Sequence, residues 1–268
     1  MNVIERGPTA EDVVDALVLA ALPDEVHELR AMLVDMRSLP GEGAVQRGRW
    51  RGRDVALAVT GDGDRNARVG AAAALRRVRA RIVIAIGVAG GLSPELATGE
   101  LLVAHRVMRE NGNAWQAPPP WLAGASRLAG ARPAALISVA RLAATVGDKR
   151  RLLTLTTERA PGLMAAVDLE SAAFAAAAAA RGLPWLILRA ISDTAAEELP
   201  PILNRCLDEG GAIRRRLLAA RLFSQPSTLP QLLQLRQRVR ACAAVLANAA
   251  TSVIENARGI GYAAALGA

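Results

Sequence analysis

Carboxylates stand at three places where the sequence passes from one regular pattern to the next. Glu25 follows the apolar run Asp15–Leu22, and Asp168 and Glu170 lie in Val167-Asp-Leu-Glu-Ser171, ahead of an Ala-rich stretch. Asp193 closes an apolar run that follows the Gly182-Leu-Pro184 break. Carboxylates carried to neighbouring ends of packed elements can serve proton transfer. Each also has a plainer use. Asp24 and Glu25 favour the positive end of a helix that opens at Pro23. Asp193 precedes Thr194-Ala-Ala-Glu197, a capping box that predicts a short helix. Two glycine-bearing segments accompany the acids. Thr60-Gly61-Asp62-Gly63 reads as strand, turn and helix N-terminus, where backbone can approach a phosphate or sugar closely. It is not the dinucleotide fingerprint, because Asn66 occupies the third glycine position. Gly87-Val-Ala-Gly90-Gly91-Leu92 ends a strong strand signal; a sharp turn and a flat-ligand platform both fit its spacing.

The elements that must position these residues follow from periodicity. Strands are expected at Asp15–Leu22, at Arg47–Arg53 with Asp54–Thr60, at Arg81–Gly87, at Leu101–Val107 and at Ala134–Leu142, and again ahead of Asp193. Helices are expected near Val26–Met36, from Asn66 to Arg77, within Asp148–Ala160, and through the Ala-rich run after Glu170. Residues 1–12 read as a polar lead. Asn111–Pro133 reads as irregular, with Trp115 and Trp121 either lining a pocket or packing a loop. Strands alternating with helices make an α/β fold. In such sheets small ligands bind beyond the carboxyl ends of the strands, where the acids fall.

Composition narrows the partners. The chain has 268 residues, 52% hydrophobic and 22% charged, which suits a packed globular protein. The net charge of +8 is concentrated late, since Asp and Glu are absent from Gly210 to Ile254 while seven arginines from Arg214 to Arg240 fall there. Leucines interleave those arginines in two amphipathic helices, near 213–222 and 232–250. That pattern suits an anionic membrane surface, the protein body or a second subunit better than nucleic acid. Cys206 and Cys242 make no CxxC pair, and with only His27 and His105 no metal site is expected. Of the 33 basic residues only Lys149 is lysine, which reads as genomic bias. No signal peptide or spanning run is expected, so the protein reads as cytoplasmic, with peripheral membrane contact through 212–250 as an option.

Taken in order, five motifs resemble one family, the purine nucleoside phosphorylases and methylthioadenosine/adenosylhomocysteine nucleosidases. They are the first strand with Glu25, Thr60–Gly63, Gly87–Leu92 with Gly99-Glu100, Val167–Ala173, and Arg189-Ala-Ile-Ser-Asp193. The resemblance spans roughly residues 15–195. Within that family the sequence most resembles the hopanoid-associated phosphorylases, or adenosylhopane nucleosidases, through the V-D-L-E-S motif, L-P-P-I-L after Asp193, and the Arg/Leu tail. The resemblance implies a three-layer fold with a central mixed sheet flanked by helices. The α/β domain would span 1–210, followed by a helical extension at 211–268. It implies cleavage of an adenine N-glycosidic bond without a metal or other cofactor, phosphate being an open co-substrate, and a homodimer. The substrate would be an adenosine derivative, lipid-linked in the hopanoid branch. By resemblance Asp193, held protonated by burial, gives a proton to purine N7; Glu170 binds ribose hydroxyls; and Glu25 activates water. Gly61 and Gly63 would bring backbone donors toward the nucleophile. Ala89, Gly90 and Ser192 would frame base and sugar, with Leu169 beneath the sugar and Asp168, among the substrate-binding residues, in place of a glutamate found in many nucleosidases. No counterpart is found near position 140 for the base-stacking aromatic of many relatives.

Overall fold

The computed structural model describes residues 13–40, 44–208, 210–224 and 226–266, so the polar lead at 1–12 lies outside the described residues. In chain order the elements are β1 (Val13–Ala20), α1 (Pro23–Met32), β2 (Val34–Ser38), β3 (Val45–Trp50), β4 (Arg53–Val59), α2 (Asp64–Arg77) and β5 (Arg79–Gly91). They continue with β6 (Leu101–Arg109), β7 (Ala114–Gln116), α3 (Pro119–Ala129), β8 (Arg132–Ser138), α4 (Val146–Arg159), β9 (Met164–Asp168), α5 (Ser171–Ala179) and β10 (Trp185–Asp193). The C-terminal part holds α6 (Ile202–Arg205), α7 (Arg215–Ser224) and α8 (Leu229–Leu266).

β5 organises the sheet because it changes partner along its length. Its first part pairs in parallel with β1 as far as Leu19↔Ala85. Its last residues pair antiparallel with β9, Gly90 opposite Val167 and Gly91 opposite Ala166. β10 runs parallel along its other edge. From β10 the order continues through β6, β8 and β9 back to β5, which closes a ring, while β4, β3 and β2 extend outward from β1. A crevice therefore opens where β1 has ended and β9 has begun.

Apolar runs without alternation form the central strands, since both faces are covered. β10 is buried throughout. Leu17 and Leu19 of β1 enter one core layer with Ala67, Ala71 and Ala74 of α2 and Ala172 and Ala175 of α5. Ala16 and Val18 enter the opposite layer with Val26 and Leu29 of α1 and Leu246 and Val253 of α8. That period of two puts one core on each face of one sheet. The small faces of α2 and α5 let two backbones approach closely, as an aromatic-poor core requires.

Several elements differ from the sequence expectation, β9 among them, since no strand is expected at Met164–Asp168. The helix after Pro23 stops at Met32, and Val34–Ser38 is an edge strand whose residues are largely exposed, so it gives no apolar period. Asn111–Pro133 is not irregular: it holds β7 and α3. Prolines open α3, where a missing N–H costs nothing, and Gly130 ends it in the left-handed region, at φ 67°. Glu197 Oε2 does accept the Thr194 N–H at 2.8 Å, yet no helix follows, because Pro200 and Pro201 cannot supply the next donors. The two tail helices are α7 and the longer α8. The latter buries Cys242, Leu246, Ala250, Val253 and Ile254 against α1, α3 and β10.

Candidate active site

The crevice beside β5 is a cavity of about 190 Å³. Glu25, Glu170 and Asp193 all line it, with Ala89, Gly90, Asp168, Leu169 and Ser192. Eight of the ten candidate residues are thus brought together; Gly61 and Gly63 are not among its lining.

Glu25 is placed by the turn from β1 into α1. Its Oε2 accepts the N–H groups of Ala21 (3.0 Å) and Leu22 (2.9 Å), and Oε1 accepts that of Val88 on β5 (3.1 Å). The residue therefore caps its helix and ties β1 to β5 while facing the cavity, so the plain use and the chemical one coexist. Burial raises its proton affinity above the ordinary carboxyl value, against the opposing charge of Arg189 and the three backbone donors. Glu170, at the start of α5, accepts the Gly63 N–H through Oε1 at 2.7 Å. Burial, and then the charges of Asp168 and Glu25, push its pKa up to about 8.

Asp168 is the hub behind the cavity. Its Oδ1 accepts the Ser138 hydroxyl (2.6 Å) and its Oδ2 the Arg189 Nε–H (2.8 Å), while Ser171 bonds it through both hydroxyl and N–H. Those bonds occupy the carboxylate, so Asp168 supports Arg189 and the α5 terminus rather than offering itself to a ligand. Arg189 is 2% exposed. Gly87 makes space for it: a Cβ there would lie 2.7 Å from Arg189 Nη1 and 2.8 Å from Glu25 Oε1. Gly90 does the same for the acid, since its Cβ would lie 3.1 Å from Asp193 Oδ2. The glycine pair is thus not a sharp turn. It is strand backbone cleared for side chains.

The pairing register of β10 against β5 shifts between Ile191 and Asp193, at the residue that turns the strand end toward the cavity. Ser192 Oγ lies 2.6 Å from Asp193 Oδ1 and 3.3 Å from the Ala89 carbonyl. Asp193 is buried, as expected, but it is not alone. Lys149 Nζ, on α4, meets Asp193 Oδ2 at 2.6 Å. Sequence reasoning missed this partner, although the chain's single lysine was its available signal.

Two further expectations are corrected. The Gly61 N–H is bonded to the Ala21 carbonyl (3.0 Å) and that of Gly63 to Glu170, so neither is presented to an incoming nucleophile. Gly63 instead allows the segment 210–212 to cross over it, its missing Cβ falling 2.4 Å from the Gly210 carbonyl oxygen. Asp62 Oδ2 accepts the Ile213 N–H at 2.7 Å, which fastens that crossing. Trp121 is buried in the core against α8 and Trp115 stacks near Arg109, so neither lines the cavity. Around position 140 the wall is Val139, Leu142 and Ala143, with no aromatic.

The arrangement matches known proteins at two levels. Residues 15–204 match the family model described as Phosphorylase superfamily. The chain belongs to the phosphorylase superfamily. Within the superfamily, it is 30% identical over 202 residues to a 5′-methylthioadenosine/S-adenosylhomocysteine nucleosidase of Marinomonas sp. (strain MWYL1), covering 68% of this chain and 87% of that protein. The fold matches the nucleosidase of that name from Neisseria meningitidis, solved with methylthio-immucillin-A, at TM-score 0.69 and 19% identity over 91% and 99% of the two chains. It matches a futalosine hydrolase of Helicobacter pylori strain 26695 at TM-score 0.69 and 17% identity, over 90% and 97%. The superfamily fold is therefore the one seen here, a mixed sheet flanked by helices with a C-terminal helix packed on it.

Proposed function

We propose that this protein hydrolyses the N-glycosidic bond of adenine nucleosides of the 5′-methylthioadenosine/S-adenosylhomocysteine type. The observation that carries the reading is the convergence of Glu25, Glu170 and Asp193 on one cavity in a chain related to such nucleosidases. The C1′–N9 bond breaks with its electron pair passing to the purine, which takes a proton from Asp193. A water oxygen bonds to C1′ and gives a proton to Glu25, whose burial raises its proton affinity. Glu170 contacts ribose hydroxyls as positive charge develops on the sugar.

Water rather than phosphate is the nucleophile in this reading. The cavity lining includes five acidic residues, Glu25, Asp62, Asp168, Glu170 and Asp193, and no arginine or lysine. Among the described residues the two buried cations, Lys149 and Arg189, are both committed to carboxylates. Neither is left over to bind an incoming oxyanion. No metal or other cofactor enters the reaction as proposed.

One observation favours a second, lipid-linked substrate such as adenosylhopane. Besides the acids, the cavity is lined by the apolar Leu142, Leu199, Leu203, Ile213, Leu235 and Val239. A large apolar 5′ group would seat against these residues. Among the described residues no helix is long and apolar enough to cross a membrane, so such a substrate would be met at a surface. Chromatographic release of adenine from methylthioadenosine and from adenosylhopane in detergent, run in parallel, separates the two. The first reading predicts turnover of methylthioadenosine at least as fast as adenosylhopane; adenine from adenosylhopane alone would replace it with the second.

A further inference from the structure

Lys149 is 1% exposed, and its three ammonium donors meet three acceptors: Asp193 Oδ2 at 2.6 Å, the Thr194 carbonyl at 2.5 Å and the Glu197 carbonyl at 2.8 Å. That saturates the group, which has three donors and no acceptor. Every other of the 33 basic residues in this chain is arginine. A planar guanidinium cannot serve three acceptors gathered around one point, whereas a compact ammonium can. The one lysine therefore stands where the geometry requires a lysine.

We propose that Lys149 is the positioning residue of the leaving-group acid. It fixes the Asp193 carboxyl toward the departing base and stabilises the carboxylate left after proton transfer. The inference rests on the nucleosidase reading and extends it, because nothing in the hydrolytic step itself requires a lysine on α4. Asp193 has its other oxygen on the Ser192 hydroxyl, and Gly90 leaves no bulk against Oδ2. Its rotation is thus limited from both oxygens. The Coulomb attraction to Lys149 grows as Asp193 gives up its proton, so the pair is stronger after transfer than before it, the condition for speeding a step. The holding frame reaches α8. The Glu197 side chain accepts the Thr194 N–H and pairs with Arg238 at 2.9 Å, which braces the turn whose carbonyls bind Lys149.

The test uses two leaving groups on the full-length protein. Adenine must be protonated as it departs from methylthioadenosine; 4-nitrophenolate leaves a 4-nitrophenyl riboside without a proton. Lys149→Met should lower kcat for methylthioadenosine by about 10²- to 10⁴-fold with KM little changed, while nitrophenyl riboside turnover stays within about threefold. Lys149→Arg keeps the charge and should show the same selective loss to a smaller degree, and retained nitrophenyl riboside turnover shows that each variant is folded. In an Asp193→Asn background the Lys149→Met change should cost no further adenine release, because the acid it serves is gone. Equal losses on both substrates would make Lys149 structural and overturn the inference, as would an unchanged kcat for methylthioadenosine. A wild-type protein that cleaves the nitrophenyl riboside but releases no adenine would overturn the nucleosidase reading, and the role of Lys149 with it.

Discussion

Glu170 and Asp168 sit two residues apart, yet the fold sets them in opposite conditions. Asp168 is bonded to Arg189, Ser138 and Ser171, whereas Glu170 has one backbone donor and two acidic neighbours in a buried site. The rise of the Glu170 pKa from 4.5 to about 8 has a stability consequence of definite sign. In the unfolded chain the carboxyl ionises near its ordinary value, while in the folded protein it stays protonated. The stabilising contribution is therefore complete at acid pH and is lost as pH rises through about 8. Thermal melts should show the wild-type midpoint falling relative to Glu170→Gln across that window. Parallel curves for the two proteins would contradict the assignment. Arg189 holds the opposite place, a buried cation between carboxylates. Arg189→Met should cost about 3–5 kcal/mol in chemical denaturation, because Asp168 would be left buried without its partner.

At the scale of elements, β5 does most of the positioning. It runs past the end of β1 to finish beside β9 and β10, and contributes Gly87 and Gly90 as positions cleared for side chains. Gly87→Ala should destabilise by about 1–3 kcal/mol and lower kcat, since its methyl would press on both Arg189 and Glu25. Wild-type stability and turnover in that variant would show the neighbours can yield. Of the strands that build this crevice, β1, β5 and β10 were legible in the sequence, because apolar runs such as Ile82–Ile86 have few other readings, whereas β9 was not expected. The carboxylates at their ends were legible too, through five motifs in order. The partners of those carboxylates were not. Lys149 and Asp193 are 44 positions apart, and the contact comes from α4 packing beside the ring, which no local pattern encodes. Gly63 was legible as a turn but not as a donor to Glu170, since that bond spans 107 positions. β2 was hidden because an exposed edge strand has no apolar face to betray it.

The molecule as a whole is completed by its C-terminal helix. α8 covers α1 and α3, and Arg51, Arg53 and Asp15 tie its far part to the sheet through Glu255 and Arg258. Leu235 and Val239, nearer its start, wall the cavity. Deleting residues 229–268 should therefore expose Val26, Leu29 and Trp121 and abolish cooperative unfolding, a larger effect than loss of a surface extension. Retention of a sharp thermal transition by the truncated chain would show that the body stands without it.

In the proposed reaction the three carboxylates in this cavity cut an adenine nucleoside with water. The most direct measurement incubates the full-length protein with 5′-methylthioadenosine in phosphate-free buffer and assays adenine and reducing sugar together. The account predicts equal amounts of both, no acceleration when phosphate is added, and loss of both products in Asp193→Asn. Adenine release that requires phosphate and yields a sugar 1-phosphate, or release unaffected by Asp193→Asn, would contradict it.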